Sequence, residues 1–330
     1  MATYKALRGV TIRTVAGDIS PVALGDIWYN SVAKAIKVGQ TTAAAWATGG
    51  TLTTARQGAH GAGTQTAGLC AGGHPPFYNN SEEYDGSSWT EGSNLQQGTA
   101  FGGGTGTQTA ALKSGGYTAL DPGIVALSEE YNGTSWAEGN NMNTARYYQD
   151  NCGTQTAALA AGGNYGPPGK SEKAEEYDGT SWAEGGDLGT ARYAGGVFGT
   201  QTAGAHVGGA MPDTDTRKSE VEEYDGTSWS EVTDLPAGRW GMHGFGTQTD
   251  AILAAGVDSN GNLSAECLTY DGTNWSTTAD YPAATRAIGV GQGAPTTAGL
   301  CFGGGLPSPL VQTTNEFTGA HAAATTVTSS

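Results

Sequence analysis

The chain has 330 residues, of which 55 are glycine and 14% are charged, and its net charge is −16. This glycine content, together with the lack of a sustained 3.6-residue apolar period, predicts short strands and tight turns rather than helices. The negative charge argues against nucleic acid and an anionic membrane surface as partners, because both require concentrated lysine and arginine. Neither a signal-peptide core nor a run of about 18 apolar residues occurs, so we expect a soluble chain without membrane insertion.

Residues 1–39 lie outside the repeat that occupies most of the chain. Within them, Leu24–Val38 reads LGDIWYNSVAKAIKV, which predicts a β-hairpin with an Asn-Ser turn. The stretch resembles the GDIWYNS…LKV segment of bacteriophage tail-fibre and other virion proteins. This resemblance implies a virion protein, made in the host bacterial cytoplasm, whose residues 1–39 attach it to other virion proteins. A strand that only caps the following domain is the alternative.

Three markers recur from residue 40 onward, and the Tyr and Trp of the first marker return every 46 or 47 residues from Tyr84 to Tyr270. EEYDGTSW occurs twice unchanged, starting at Glu175 and Glu222. GTQT occurs five times, with a degraded sixth copy, GAPTT, starting at Gly293. A double glycine or its remnant follows a short apolar run in each unit. These markers predict four short strands per unit, with strand A before GTQT, B after it, C at the Glu-Tyr-Asp and D at the Trp.

The two ends of the repeat complete one another. Phe317 stands where a sixth Tyr is expected, and Trp46 stands where the missing sixth Trp is expected. A last unit that starts near the C-terminus and finishes with an N-terminal strand predicts a closed ring, since closure removes free sheet edges. We therefore expect an all-β, six-bladed β-propeller over residues 40–319, followed by a low-complexity C-terminal tail, 320–330. The aromatic residues expected to wedge between blades are Trp46, Trp89, Trp136, Trp182, Trp229, Trp275, Tyr84, Tyr131, Tyr177, Tyr224, Tyr270 and Phe317.

The order of double Gly, Tyr-Asp, Trp and an Arg opening the next strand resembles the kelch repeat and galactose-oxidase-like propellers, from about Gln40 to Gly319. The resemblance implies the fold rather than an activity. Copper chemistry of the galactose-oxidase type needs His and Tyr ligands and a Tyr–Cys cross-link, and the five histidines offer no such set. We expect no cofactor and no enzymatic activity.

The recurring arginines are predicted to form structural ion pairs rather than an anion-binding ring. The series is Arg56, Arg146, Arg192, Arg239 and Arg286, with Thr99 in the second unit. The expected partners are Glu83, Glu130, Glu176, Glu223 and Glu316.

Function is expected where the units differ, which is in the B–C loops on one face of the disc. The residue after the arginine is aromatic in three consecutive units, and these three rings predict a crescent for stacking sugar rings near the channel mouth. Packing between blades is the alternative use. The candidate binding residues are Tyr147, Tyr193 and Trp240 in the crescent, and Phe77, Tyr78, Tyr117, Tyr165, Asp213 and Asp215 in the loops.

A metal site is not predicted, although one set of residues deserves comparison with the structure. His60, Asp150 and His243 occupy the same place in alternate units, four residues after the arginine position. They could converge on the axis around an ion. Polar channel residues bound to water are the commoner use of such groups.

These features together predict a non-enzymatic bacteriophage virion structural protein. We expect a tail- or fibre-associated propeller that binds a host surface receptor, a glycan above all, or a neighbouring virion protein through its B–C loop face. A homo-oligomer is compatible with this function. A capsid-decorating or head-fibre protein is the first alternative. A carbohydrate-active enzyme is the second, and it would need paired carboxylates, for which Asp213 and Asp215 are the candidates in one loop.

Overall fold

The structure is a computed structural model that describes residues 12–120, 123–166, 169, 171–211, 216–305 and 310–327. These residues form strands, turns and bends and no helix. Accordingly, no helix that is long and apolar enough to cross a membrane occurs among them. The chain divides into two compact units, residues 1–45 with 319–330, and residues 46–318.

The smaller unit is a four-stranded sheet with the order Arg13–Val15, Ile27–Asn30, Ala35–Thr42 and His321–Thr326. The second and third strands form a hairpin in which Ile27 pairs with Val38 and Asn30 with Ala35. The Asn30 side chain closes its turn by accepting the backbone N–H groups of Val32 and Ala33. Residues 1–11 of the predicted arm lie outside the described residues.

The boundaries of this unit differ from those expected. It extends to residue 45 instead of 39, and it includes the C-terminal residues expected to form a separate tail. His321–Thr326 pairs antiparallel with the strand Ala35–Thr42. Composition identifies the tail as low in complexity, but a strand partner about 280 residues away in sequence is decided only by the tertiary fold.

The larger unit is a six-bladed β-propeller, as predicted. Each blade is a four-stranded antiparallel sheet in the order A, B, C, D. The strands of the first three blades are His60–Thr64, Ala67–Ala71, Ser81–Tyr84 and Trp89–Glu91; Gly103–Thr107, Ala110–Ser114, Ser128–Tyr131 and Trp136–Glu138; and Asp150–Thr154, Ala157–Ala161, Ala174–Tyr177 and Trp182–Glu184. Those of blades four and five are Gly196–Thr200, Ala203–Val207, Val221–Tyr224 and Trp229–Glu231; and His243–Thr247, Asp250–Ala254, Leu268–Tyr270 and Trp275–Thr277.

Blade six closes the ring in the predicted manner. Its strands are Gly289–Val290, Ala298–Phe302, Thr314–Thr318 and, from the other end of the propeller sequence, Ala45–Thr48. The rings of Trp46 and Phe317 lie 5.0 Å apart, and Trp46 Nε1 donates to the carbonyl of Ala279 at 3.0 Å. Outside the blades, two short two-stranded sheets lie on the loop face, Ala210–Met211 with Thr216–Arg217 and Arg239–Trp240 with Val257–Asp258.

The glycines of the A strands let six strands converge on the axis. A Cβ on Gly61 would stand 2.2 Å from the carbonyl oxygen of Val290, and one on Gly104 would stand 2.7 Å from the Gly61 nitrogen. Consecutive A strands contact one another around the whole ring, including blade six with blade one. The hydrophobic core lies between adjacent blades; Leu69 of blade one, for example, packs with Tyr131 and Trp136 of blade two.

The recurring tyrosines and glutamates join each blade to the one before it. Tyr177 of blade three donates its hydroxyl hydrogen to Glu130 of blade two, and Tyr270 of blade five donates to Glu223 of blade four at 2.9 Å. The same bond is made by Tyr84 to Glu316, Tyr131 to Glu83 and Tyr224 to Glu176. We call this set, together with the Tyr and Trp rings, the inter-blade belt.

The predicted arginine ion pairs exist, but the predicted glutamates were wrong. Arg56 pairs with Glu82, Arg146 with Glu175 and Arg192 with Glu222, each within a single blade. Successive residues of a strand point to opposite faces of the sheet. The first glutamate of each Glu-Glu-Tyr therefore meets the arginine, while the second is left for the tyrosine of the next blade. In blade five Arg239 pairs with Glu266 instead.

Blades two and six depart from this arrangement. Thr99 replaces the arginine of blade two, and Lys113 provides the cation that faces Glu129, at 3.8 Å. In blade six the buried position of the arginine series is occupied by Thr285, and Arg286 stands one residue later, pairing with Gly305 across an isolated bridge. The equivalents of Arg286 are therefore Gln57, Tyr147 and Tyr193, whose bridges are made in the same place. Its assignment to the arginine series was wrong.

The glutamine of GTQT has a role that the sequence analysis missed. Gln155 Nε2 donates to two carbonyl oxygens of the preceding blade, that of Ala111 at 3.0 Å and that of Tyr131 at 2.7 Å. Gln108, Gln201 and Gln248 make the same pair of bonds. The sixth copy, GAPTT, has Pro295 at this position and cannot donate. The strict recurrence of this glutamine was the available signal.

A candidate binding pocket at the propeller axis

Six residues, one from each blade, encircle the axis on the loop face. Each lies two residues after the arginine position and adopts a left-handed conformation, with φ between 52 and 65°. Each backbone N–H donates to the carbonyl of its counterpart in the preceding blade, at 2.5 to 2.9 Å, and the six bonds form a closed circle. The members of this axial ring are Gly58, Phe101, Tyr148, Ala194, Gly241 and Ala287.

The axial ring imposes one backbone conformation, while its side chains differ from blade to blade. A left-handed conformation costs a non-glycine residue roughly 1 kcal/mol or more. Four of the six members are nevertheless not glycine, and the circular hydrogen bonding offsets that cost. Gly58 makes room for the Phe101 side chain of the next blade, because a Cβ on Gly58 would stand 2.3 Å from the Phe101 ring.

All six members of the axial ring line one pocket, whose void measures about 600 Å³ when the open solvent at its mouth is included. A smaller void of about 210 Å³ adjoins it on the axis and shares Ala59, Gly102 and His243 with its lining, so these residues form the floor of the pocket. His243 stands at this floor and hydrogen-bonds Asp150 from across the axis, Nδ1 to Oδ2, at 3.1 Å. Gln292 adds bonds to the same Asp150 oxygen at 3.4 Å and to the Val197 carbonyl at 3.3 Å.

Aromatic side chains form a curved row beside this pocket, and three of them, Phe101, Tyr148 and Trp240, belong to its lining. The ring centroids of Phe101 and Tyr148 lie 4.8 Å apart, those of Tyr148 and Tyr193 5.8 Å apart, and those of Tyr193 and Trp240 6.5 Å apart. Tyr147 joins them at 4.8 Å from Tyr148. We call these rings the aromatic crescent. It brings together the three residues proposed from sequence and adds Phe101 and Tyr148. The sequence analysis missed these two because the other blades have glycine or alanine at the same position, so no aromatic pattern recurs.

Two arginine side chains contact Trp240, the last ring of the crescent. The guanidinium carbon of Arg286 lies 5.2 Å from the centre of the Trp240 ring, and that of Arg217 lies 5.7 Å from it. Such contacts are typical cation–π geometry. Trp240 Nε1 is buried and has no hydrogen-bond acceptor among the described residues. Arg286 has no ion-pair partner among the described residues.

Tyr147 and Tyr148 are donors at neutral pH. Burial raises the pKa of Tyr148 to about 12, with a further contribution from neighbouring Tyr147 that Arg286 partly opposes. Burial also raises the pKa of Tyr147. Their hydroxyl groups therefore stay protonated and uncharged in the physiological range.

The other candidate residues from the loops divide into three groups. Phe77 and Tyr117 extend the crescent outwards, with centroids 5.8 Å apart and Tyr117 5.4 Å from Tyr147. Tyr78 instead covers the buried Arg56 at 5.1 Å, which makes it part of the packing. Tyr165 is 45% exposed and stands apart from the crescent contacts. Asp213 and Asp215 lie outside the described residues.

The three residues compared as a metal site do not come together. His243 and Asp150 meet at the axis, but His60 turns into the space between blades one and two, where its Nε2 lies 3.1 Å from Thr99 Oγ1. Thr99 replaces an arginine there, and the smaller side chain leaves room for the imidazole. Burial, followed by the charge of Lys113, lowers the pKa of His60 to about 3. Within the described parts of the chain, no three His, Cys, Asp or Glu side chains are grouped to hold a metal.

The opposite face has a depression of a different kind. It is lined by the GTQT turns, with Thr200, Gln201 and Thr247 among its residues, and by the GAPTT turn that contains Pro295. Its lining contains no aromatic residue among those described. It is therefore built mainly from the repeated residues that hold the blades together.

Comparison with known proteins shows the fold and no family. Neither the scan against protein-family models nor the search of curated proteins finds a match. Among solved structures the chain is similar to that of YjhT, with a TM-score of 0.69 and 13% sequence identity over 83% of this chain and 99% of that one. At this identity the similarity supports the β-propeller fold alone.

Proposed function

We propose that this chain is a non-enzymatic bacteriophage virion protein, a tail- or fibre-associated propeller whose loop face binds a carbohydrate receptor on the host. The observation that carries the binding function is the aromatic crescent, three of whose rings, Phe101, Tyr148 and Trp240, line a pocket at the propeller axis. Receptor binding by unrepeated side chains on a rigid repeated scaffold is consistent with how loop faces are generally used.

The chemistry of the pocket favours a sugar over other small ligands. Ligand pockets combine mostly apolar and aromatic walls with a few placed polar groups that fix orientation. A pyranose ring offers a matching surface, with C–H groups on its faces and hydroxyls at its edge. The crescent supplies the faces, and Gln57, Arg286 and His243 in the same lining supply polar partners.

The virion part of the proposal rests on the sequence of the smaller unit. GDIWYNS, starting at Gly25, begins the hairpin Ile27–Asn30 and Ala35–Thr42, and it is the segment that resembles tail-fibre and other virion proteins. We propose that residues 1–39 bind other virion proteins and leave the propeller displayed outwards. A capsid-decorating or head-fibre protein would use the same two parts with a different attachment point.

The pocket gives less support to a carbohydrate-active enzyme. Hydrolysis of a glycoside generally needs two carboxyl groups flanking the scissile bond. The described lining of the pocket contains no Asp or Glu. Asp150, in the smaller void that adjoins it, already accepts hydrogen bonds from Asn151, His243 and Gln292. Binding without turnover is therefore the function that these residues favour.

The test is binding of the full-length protein to a glycan array, followed by the same measurement on Trp240→Ala. Truncating a central Trp of a binding site commonly costs about 2 kcal/mol or more, which is about 30-fold in affinity. Leu120→Ala is the control, since it truncates an exposed side chain of a B–C loop that is not among the candidate binding residues. We expect binding to be lost in the first variant and retained in the second.

Two outcomes would count against the proposal. Equal glycan binding by wild type and Trp240→Ala would remove the crescent from the function, and absence of glycan binding by the wild type would remove the carbohydrate. Immunogold electron microscopy of intact particles tests the location separately. Labelling on the capsid instead of the tail would favour the capsid-decorating alternative.

A further inference from the structure

The floor of the pocket contains a histidine whose orientation is set from below. His243 opens strand A of blade five, lines the pocket, and exposes 24% of its side chain. Its Nδ1 lies 3.1 Å from Oδ2 of Asp150, a residue 93 positions earlier in the sequence and two blades away. The imidazole is thus held from across the axis, rather than by its own blade.

The surroundings of Asp150 determine which nitrogen of His243 carries the hydrogen. The Asp150 side chain is 7% exposed. Its Oδ1 accepts the backbone N–H of Asn151 at 2.9 Å, and its Oδ2 accepts a hydrogen of the Gln292 amide at 3.4 Å. A carboxylate surrounded in this way only accepts hydrogen bonds, so Nδ1 of His243 must donate to it. In the neutral ring Nε2 is then an acceptor with a free lone pair.

This acceptor is available to a ligand. Nε2 of His243 has no hydrogen-bond partner within the described chain. It is not one of the fully buried polar atoms without a partner, so it reaches solvent. The same pocket lining includes the ring of Trp240, which lies beside His243 in the wall around this acceptor.

We infer that His243 is the polar anchor of the pocket, accepting a hydrogen bond through Nε2 from a hydroxyl group of the bound sugar, and that Asp150 positions it. This inference rests on the proposed carbohydrate-binding function and specifies the chemistry at the floor. His243 therefore favours a ligand hydroxyl, whose hydrogen can bond to Nε2. A ligand carboxylate would be repelled by the lone pair of Nε2 and by the negative charge of Asp150 behind it.

The first measurement needs no sugar. The full-length protein is labelled with 15N in its histidine rings, and the His243 signals are assigned by their absence in His243→Gln. At neutral pH the 15N shifts should identify the tautomer with hydrogen on Nδ1. In Asp150→Asn the amide nitrogen can donate to Nδ1, so the hydrogen of the ring should move partly or wholly to Nε2. Loss of packing alone would not change the tautomer. A wild-type ring with hydrogen on Nε2 would overturn the inference.

The second measurement uses the methyl glycosides of glucose, galactose, mannose and N-acetylglucosamine as probes. Binding of one of them to the wild type, with loss in Trp240→Ala, should shift the Nε2 signal of His243. His243→Ala should weaken that binding about 3- to 10-fold, the usual effect of removing one neutral hydrogen bond. Leu120→Ala serves again as the control.

The possible failures are distinguishable. If a glycoside binds in a Trp240-dependent way while the His243 signals stay fixed and His243→Ala binds within twofold of wild type, the anchor is wrong and the binding function stands. If none of the four glycosides binds the wild type and the glycan array is also negative, the carbohydrate function falls and the anchor with it.

Discussion

The two ends of the inner strands contrast sharply. At the turn end, GTQT is repeated in five blades. In each of them the glutamine side chain donates a hydrogen bond to the preceding blade. At the loop end, the axial ring has one backbone conformation but four different residue types, Gly, Phe, Tyr and Ala. Contacts between neighbouring blades recur around most of the disc, so they restrict side chains at the repeated positions. The axial ring shares one backbone conformation, while its side chains differ from blade to blade and form an asymmetric pocket.

This difference separates stability from binding. The inter-blade belt and the buried arginine pairs hold the propeller together, and the crescent with His243 forms the proposed site. Substitutions in the first set should lower the free energy of unfolding and leave glycan binding intact below the melting temperature. Substitutions in the second should do the reverse, as described above for Trp240. The predictions below test this separation from the largest expected effect to the smallest.

Removing a carboxylate from a buried ion pair should have the largest effect. Glu175 and Arg146 are both fully buried, and Glu175 also accepts the backbone N–H of Asn143 at 2.7 Å. Glu175→Ala leaves an uncompensated buried guanidinium and should cost about 3–5 kcal/mol in urea-induced unfolding. Glu184→Ala removes an ion-pair partner that is 50% exposed and should change stability by less than about 1 kcal/mol. Equal losses in the two variants would contradict this reading of the arginine series.

The glutamine clamp should have an intermediate effect. Gln155→Ala leaves two backbone carbonyls of blade two without their donor, and we expect a loss of about 1–3 kcal/mol. Pro295→Ala is the natural control, because blade six lacks the glutamine at this position, and its effect should stay within about 1 kcal/mol. A drop in glycan affinity for Gln155→Ala, with stability unchanged, would break the proposed separation of the two ends.

The pH dependence of stability should show that His60 belongs to the packing, although it is the strand counterpart of His243. Burial lowers its pKa from about 6.5 in the unfolded chain to about 3. Between these pH values the unfolded chain binds a proton at His60 that the folded chain does not bind. The contribution of His60 to the free energy of unfolding is therefore full above pH 6.5 and declines as pH falls towards 3. One such group contributes a slope of up to about 1.4 kcal/mol per pH unit.

His60→Asn should remove this contribution between pH 6 and pH 4.5, measured as the free energy of unfolding at each pH. His206, whose pKa burial also lowers, should keep the remaining slope. The slope is independent of any packing loss that shifts the whole curve. An unchanged slope in His60→Asn would contradict the burial of a neutral imidazole at this position.

Much of the fold was accessible from sequence because it depends on recurrence. The spacing of Tyr and Trp predicted six blades, and Phe317 with Trp46 predicted the closure that the structure confirms. The crescent was partly predicted, since Tyr147, Tyr193 and Trp240 follow the arginine position. Phe101 and Tyr148 were missed, because their ring position carries Gly or Ala in the other four blades and shows no sequence pattern.

The errors arose where a one-residue offset changes the outcome. Two adjacent glutamates in a strand are equivalent in sequence, and only the sheet decides that Glu82 faces Arg56 while Glu83 faces Tyr131. In blade six the chain reaches the buried position one residue early, so that Thr285 replaces the arginine and Arg286 lies beside Trp240. Period counting has no means of detecting such an offset when another arginine is adjacent.

The sequence by itself determined the number of blades, their strand order and the closure of the ring, because inter-blade packing demands the same residues at the same spacing each time. Only the tertiary structure decided what lies at the axis. The axial ring joins six blades through backbone atoms, and the contact of His243 with Asp150 joins strands two blades apart. Both depend on the convergence of separate strands at one axis, which is a property of the assembled ring and of no single repeat.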